Sequence, residues 1–333
     1  MNLVTGATGL LGSHLCEQLR KRGESVRALV RKSSDTTFLK SLGVELVYGD
    51  ITDRQSLTPA MQGVDIVYHA AARVGDWGPW QEFVDITIRG TENMLDAATK
   101  AGVKRFLHIS SISAYGHPDG AGLVLDETAP LGQCLTKWSY YSRAKVEAEK
   151  LVWAAHQKGE LAITVCRPSW LYGPRDRASM PRLIHAIAAG QGKLLGDGSN
   201  RLNLTYAGNE AEGCILAANH PQAVGEAYNL SNDGVITLAE YFGKIAASIG
   251  AKPVTRKVPY KLAYNVAFLM ELFGHMVGQK KPPLVTRYSV WLMGRRCFFS
   301  SEKARTQLNW QPTVGYDEGI ALAVKWCKDN GAV

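Results

Sequence analysis

Tyr141 and Lys145 lie four residues apart, so on a helix they share one face. A free phenol titrates near pH 10 and is a poor base around neutrality, at a pKa of about 10. An ammonium held beside it and the positive charge of an oxidised electron carrier both favour the phenolate and lower that value. Such a tyrosine could take a proton from an alcohol or give one to a carbonyl. Ser111 is the hydroxyl expected to hydrogen-bond and polarise the reacting oxygen. Tyr140 points roughly 100° away around the same helix and has no lysine four residues later.

A proton shuttle needs a partner for the electrons, and the opening of the chain supplies a place for one. Thr5-Gly6-Ala7-Thr8-Gly9-Leu10-Leu11-Gly12 falls between a strand pattern and a helix pattern. Glycines there let the backbone approach a pyrophosphate, and the helix N-terminus offers N–H donors and a positive dipole end. Gly6, Thr8, Gly9, Leu10, Leu11 and Gly12 are therefore candidate dinucleotide contacts. The spacing is G-x-x-G-x-x-G, and its position after the first strand of a βαβ pattern makes it informative. The second strand ends in Arg31 and Lys32, where an acidic residue would bind ribose hydroxyls. Cations at that point suit a 2′-phosphate, which predicts NADP(H) over NAD(H), with NAD(H) the alternative. The other reading is that Arg31 stacks on adenine or is merely solvated.

These groups require a frame. Strand candidates are Leu3–Thr5, Val26–Val30, Val44–Tyr48, Val64–His69, Arg105–Ile109 and Ala162–Cys166. Between them lie helical patterns at Gly12–Arg22, Thr91–Ala101 and Tyr141–His156. Alternation of this kind predicts an α/β fold, a doubly wound parallel (Rossmann) sheet with right-handed crossovers. Asn203–Tyr206 and Ala227–Leu230 read as strands able to return to that sheet. The remainder is mostly helical and broken by prolines. Residues 1–170 and 202–232 are therefore assigned to the dinucleotide-binding domain. Residues 171–201 and 233–333 are assigned to a smaller substrate lobe.

Composition narrows the partners. Hydrophobic residues make up 46% and charged residues 20%, so wholesale disorder is excluded. Six dispersed cysteines without a C-x-x-C pair read as free thiols rather than disulfides or a metal site. The first residues show no basic run followed by an apolar one, so they are not read as a secretory signal, and a cytoplasmic enzyme is expected. The net charge of +8 comes with no nucleic-acid motif, so nucleic acid is not expected as a partner. An anionic cofactor with an anionic membrane surface, or a diffuse basic surface without a partner, both account for it. Leu262–Val277 is strongly apolar and flanked by Lys261, Lys280 and Lys281. It reads either as an amphipathic segment lying on a membrane or as a buried lobe helix or dimer face.

The motifs together resemble the extended short-chain dehydrogenase/reductases of the NAD-dependent epimerase/dehydratase superfamily. The matches run in order: residues 5–12, Gly49-Asp50-Ile51, His69-Ala70-Ala71, residues 110–116, Tyr141-Ser142-Arg143-Ala144-Lys145, residues 167–174 and Trp310-Gln311-Pro312. The resemblance implies that Asp50 and Ile51 flank adenine and that Ala70, Ala71 and Ala72 line the cofactor groove. It implies that Pro168 and Ser169 border the nicotinamide, that Lys145 holds the nicotinamide ribose, and that the chain forms a homodimer. Thr87 stands where the family often has an asparagine in a proton relay.

Substrate class is read from departures within the family. Ser111 is followed by Ile112 and Ser113, with no acid to serve a dehydratase. Leu202 takes the place of an arginine that grips diphosphates in nucleotide-sugar epimerases, and Arg201 lies one residue early. Val74, Trp77 and Trp80 resemble apolar substrate loops of 3β-hydroxysteroid dehydrogenase-like and β-keto acid or dihydroflavonol reductase-like members. With Ser111 and Ser113 they are the expected substrate contacts, although the two indoles also suit lobe packing. The expectation is interconversion of a secondary alcohol and a ketone on a bulky apolar molecule, with a nucleotide-sugar epimerase as the alternative.

Overall fold

The computed structural model, which describes residues 1–333, builds its main sheet from short strands rich in apolar residues. These are β1 (Asn2–Thr5), β2 (Val26–Val30), β3 (Glu45–Tyr48), β4 (Ile66–His69), β5 (Arg105–Ile109), β6 (Ile163–Pro168) and β7 (Ala227–Leu230). All four residues of β1 and all six of β6 are buried. Burial on both faces requires helices on both sides, which is the parallel, doubly wound solution. The order is β7-β6-β5-β4-β1-β2-β3, and every pairing is parallel. The order reverses between β1 and β4, where Thr5 pairs with His69. Ligands bind such sheets in the crevice beyond the strand ends at that switch point.

One face is covered by α1 (Leu10–Lys21) packed on α5 (Ala207–Asn219), around Leu15, Cys16, Cys214 and Trp310. The other is covered by α2 (Arg54–Met61), α3 (Gly90–Lys100) and α4 (Tyr140–Gln157), around Leu57, Met94 and Val152. A third core fills the lobe, where α6 (Leu238–Ile249) and α9 (Tyr316–Asp329) enclose Leu202, Tyr241 and Val324. The lobe also carries α7 (Tyr260–Met276) and α8 (Arg287–Gly294).

One sequence expectation needs correction, and one feature was unannounced. Leu204–Tyr206 does not return to the main sheet; it pairs in parallel with Trp170–Tyr172 in a separate ladder. The chain leaves the sheet after Pro168, and the Ser169 hydroxyl bonds that of Thr205 at 2.8 Å, which ties the two short strands together outside it. Helix α3 is preceded by a π-helical stretch, Val84–Arg89, that no sequence pattern announced. From the first turn of α3 the Thr91 hydroxyl donates to the Thr87 carbonyl in that stretch at 2.6 Å.

Candidate active site

The glycine turn is fixed by close approach. Gly6 has φ +66°, and a Cβ there would lie 2.9 Å from the Ala70 carbonyl carbon. A Cβ on Gly12 would come within 2.2 Å of the Gly6 oxygen, so a side chain there would push α1 off the sheet. Gly9 caps α1 without a side-chain bond, and the first turn carries no acid. The leading N–H groups are thus left for an outside anion. Leu11 and Gly12 are buried beneath the turn, Thr8 and Leu10 are half-buried, and Gly9 is exposed. Around it, the Thr5 hydroxyl accepts the Ala71 N–H at 3.1 Å and bonds His69 Nδ1 at 2.9 Å.

The rest of the dinucleotide set surrounds that turn. Ala70, Ala71 and Ala72 are half-buried after β4, and Pro168 and Ser169 are buried at the end of β6. Arg31 and Lys32 are exposed, and neither takes part in an ion pair. Asp50 is half-buried, its Oδ1 accepting the Thr52 N–H at 2.9 Å. Ile51 is buried against Gly90, where a Cβ would meet it at 2.7 Å. An uncapped helix start and a glycine cradle fit the pyrophosphate of a dinucleotide.

Tyr141 and Lys145 sit on the first turns of α4. Lys145 is only 4% exposed and its Nζ donates to the Ile109 carbonyl at 2.7 Å. Burial lowers its pKa to about 8, while Glu149 one turn on raises it. Burial pushes the Tyr141 phenol up from its ordinary value, against a smaller lowering by Ser111. The lowering was expected from the ammonium together with an oxidised nicotinamide; in the protein alone burial prevails and Tyr141 keeps its proton. Ser111 caps the turn Ile112–Tyr115 and accepts the Ser113 N–H at 3.1 Å. Thr87 is not the lysine's partner, since its hydroxyl accepts the Arg73 N–H at 3.0 Å.

Sequence reasoning missed two features. Tyr288 on α8 roofs the site, with its hydroxyl 2.9 Å from the Ser113 hydroxyl and its ring edge-on to Tyr141 at 6.0 Å. Behind Lys145, Ser110 donates to Glu149, which is ion-paired with Arg167. Arg167 Nη1 reaches the Tyr115 hydroxyl at 2.6 Å, and that hydroxyl donates to Asn229 at 2.8 Å. An arginine inside the fully buried run ITVCRP is the one sequence signal for this network.

The substrate side is mixed. Trp77 is 7% exposed, its indole donates to the Gln279 carbonyl at 2.9 Å and stacks on His275 at 4.4 Å. It packs at the junction with α7. Trp80 packs on Tyr140 at 5.5 Å, beneath Arg143. Both indoles line a 470 Å³ groove with Tyr140, Gly274, His275 and Lys280. Val74 is exposed. A cleft of 780 Å³ around His14 and Arg175 contains none of the reacting groups. Beyond Tyr288, Arg295 is 1% exposed, with all three guanidinium nitrogens unpaired and Trp291 stacked on it at 4.4 Å. Burying an unpaired cation is costly, so this position favours a neighbouring negative charge.

A tyrosine that keeps its proton, a buried lysine behind it and an anion-ready turn across the sheet's switch point are what an NAD(P)-dependent dehydrogenase/reductase requires. The chain belongs to the NAD dependent epimerase/dehydratase family, whose pattern matches residues 2–231. It is 32% identical over 325 residues to a 2-alkyl-3-oxoalkanoate reductase of Stenotrophomonas maltophilia, covering 96% of each chain. A decarboxylating sterol-4-alpha-carboxylate 3-dehydrogenase of Mus musculus is 29% identical over 331 residues, 97% of this chain and 89% of the relative. Among solved structures, gox2253 superposes with a TM-score of 0.83 at 31% identity, covering 100% of this chain and 99% of the other.

Proposed function

We propose that the chain uses NADPH to reduce the ketone of a bulky apolar acid, of the long-chain β-keto acid type. The carrying observation is a buried tyrosine that holds its proton beneath an aromatic roof. When bound, the dinucleotide supplies hydride to the carbonyl carbon. Ser111 donates a hydrogen bond to the carbonyl oxygen, and Tyr141 gives that oxygen its proton, which completes a secondary alcohol. Lys145 stabilises the phenolate left on Tyr141 until solvent restores the proton.

Three further features support the details. The unpartnered Arg295 favours an acidic group on the substrate over a neutral ketone. The exposed Arg31 and Lys32 favour a 2′-phosphate on the dinucleotide. Leu202 is buried in the lobe core and Arg201 stacks on Phe298 at 5.3 Å, which leaves that segment without a diphosphate clamp and weighs against a nucleotide-sugar epimerase.

The test is a screen of NADPH and NADH oxidation against long-chain β-keto acids, their methyl esters, 3-ketosteroids and nucleotide sugars. The reading expects net NADPH consumption with the keto acids, weaker consumption with the esters, and little with NADH. Interconversion of nucleotide sugars without net loss of reduced dinucleotide would overturn it.

A further inference from the structure

Helix α7 presents an unusual surface. Leu262, Val266, Leu269, Phe273 and Met276 recur every three or four residues, and each is between 45% and 77% exposed. Val277 continues the stripe, and Leu284 just beyond is 92% exposed. Isolated surface hydrophobes need no explanation, but a contiguous stripe on one helix marks a contact surface. The single acid in α7, Glu271, is buried and ion-paired with Arg287 at 2.6 Å. The exposed face therefore carries no negative charge.

Charge is segregated with it. Residues 241–301 contain ten Lys and Arg against one Glu, which leaves 28 basic and 29 acidic residues for the rest of the chain. The net charge of +8 thus belongs to this part of the lobe, so the positive charge is concentrated rather than diffuse. Lys261 stands at one end of the stripe and Lys280 and Lys281 at the other, all exposed. No helix is long and apolar enough to cross a membrane.

We propose that α7 and the segment to Leu284 dock on the surface of an anionic phospholipid bilayer. The apolar stripe enters the acyl boundary while Lys261, Lys280 and Lys281 meet the head groups. A second copy of this chain is the poorer occupant, because apposing two such faces would bring two strongly positive surfaces together. Docking in this orientation sets the 470 Å³ groove of Trp77, Trp80 and Lys280 at the lipid boundary, because it opens at the C-terminal end of α7. An apolar substrate could then reach the enzyme without crossing water. That last step rests on the apolar-substrate reading; the docking itself does not.

Flotation of the full-length protein with phosphatidylcholine vesicles, with and without phosphatidylglycerol, tests the proposal. The protein should float with the phosphatidylglycerol vesicles and be released by salt. The double variant Leu269→Glu/Phe273→Glu should lose binding by roughly tenfold or more, since it removes the inserted apolar area and adds repulsion. The same variant should bind NADPH as before, which shows that it is folded. Protein left in solution with the anionic vesicles overturns the proposal. So does a concentration-dependent dimer that the double variant abolishes. Vesicle binding without reduction of apolar ketones would sink the substrate reading and leave the docking intact.

Discussion

Lys145 carries the first consequence of the site's burial. Its pKa of about 8 means that the ammonium is present below that pH and lost as pH rises through it. The ammonium stabilises the phenolate that follows proton donation, so the reduction rate should be flat below about pH 8 and fall above it. Glu149 raises this pKa, so Glu149→Gln should move the alkaline limb to lower pH. A pH profile of kcat for both proteins measures this, and an unmoved limb would show that Glu149 does not act through Lys145. The pair at 141 and 145 was legible in the sequence because helix periodicity alone puts them on one face. The protonation state of Tyr141 was not, since it depends on burial by a roof drawn from a distant helix. Trp77 shows the converse. An indole in a loop left substrate contact and lobe packing both open, and a carbonyl at Gln279 and a small residue at Gly274 seat it in the lobe junction.

At the scale of elements, the helix that carries the reacting groups is anchored to the sheet by a buried ion pair. Glu149 on α4 is fully buried, and its cation is Arg167 on β6. Arg167→Met would strand that carboxylate and should cost about 3–5 kcal/mol of stability. Arg167→Met/Glu149→Leu should recover most of the loss, because the burial then becomes apolar. Urea midpoints of the three proteins check this, and a single variant as stable as the parent would refute the anchoring role. The strands, the glycine turn and α4 were readable because short apolar-rich runs, close-approach glycines and a 3.6-residue period are local signals. The pairing of Leu204–Tyr206 was not, because both strand partners leave the main sheet and a short apolar run does not specify its neighbour. The π-helical stretch before α3 was equally silent, since a one-residue change of helical pitch leaves no mark in composition.

Across the whole molecule, the sheet supplies the dinucleotide turn and the Tyr–Lys pair, and the lobe supplies the cover. Neither part holds a complete site. Tyr288 on α8 reaches the reacting tyrosine, and Trp291 on the same helix stacks on the buried Arg295. The charge distribution follows the same division, with the positive excess in the lobe. All of this turns on whether the hydroxyl of Tyr141 delivers the proton that accompanies hydride. The direct measurement is NADPH oxidation by Tyr141→Phe with a long-chain β-keto acid, alongside NADPH binding by the same protein. Loss of a general acid should lower kcat by about 10²–10⁴-fold with NADPH affinity retained. A phenylalanine variant that turns over at the parent rate would contradict the account.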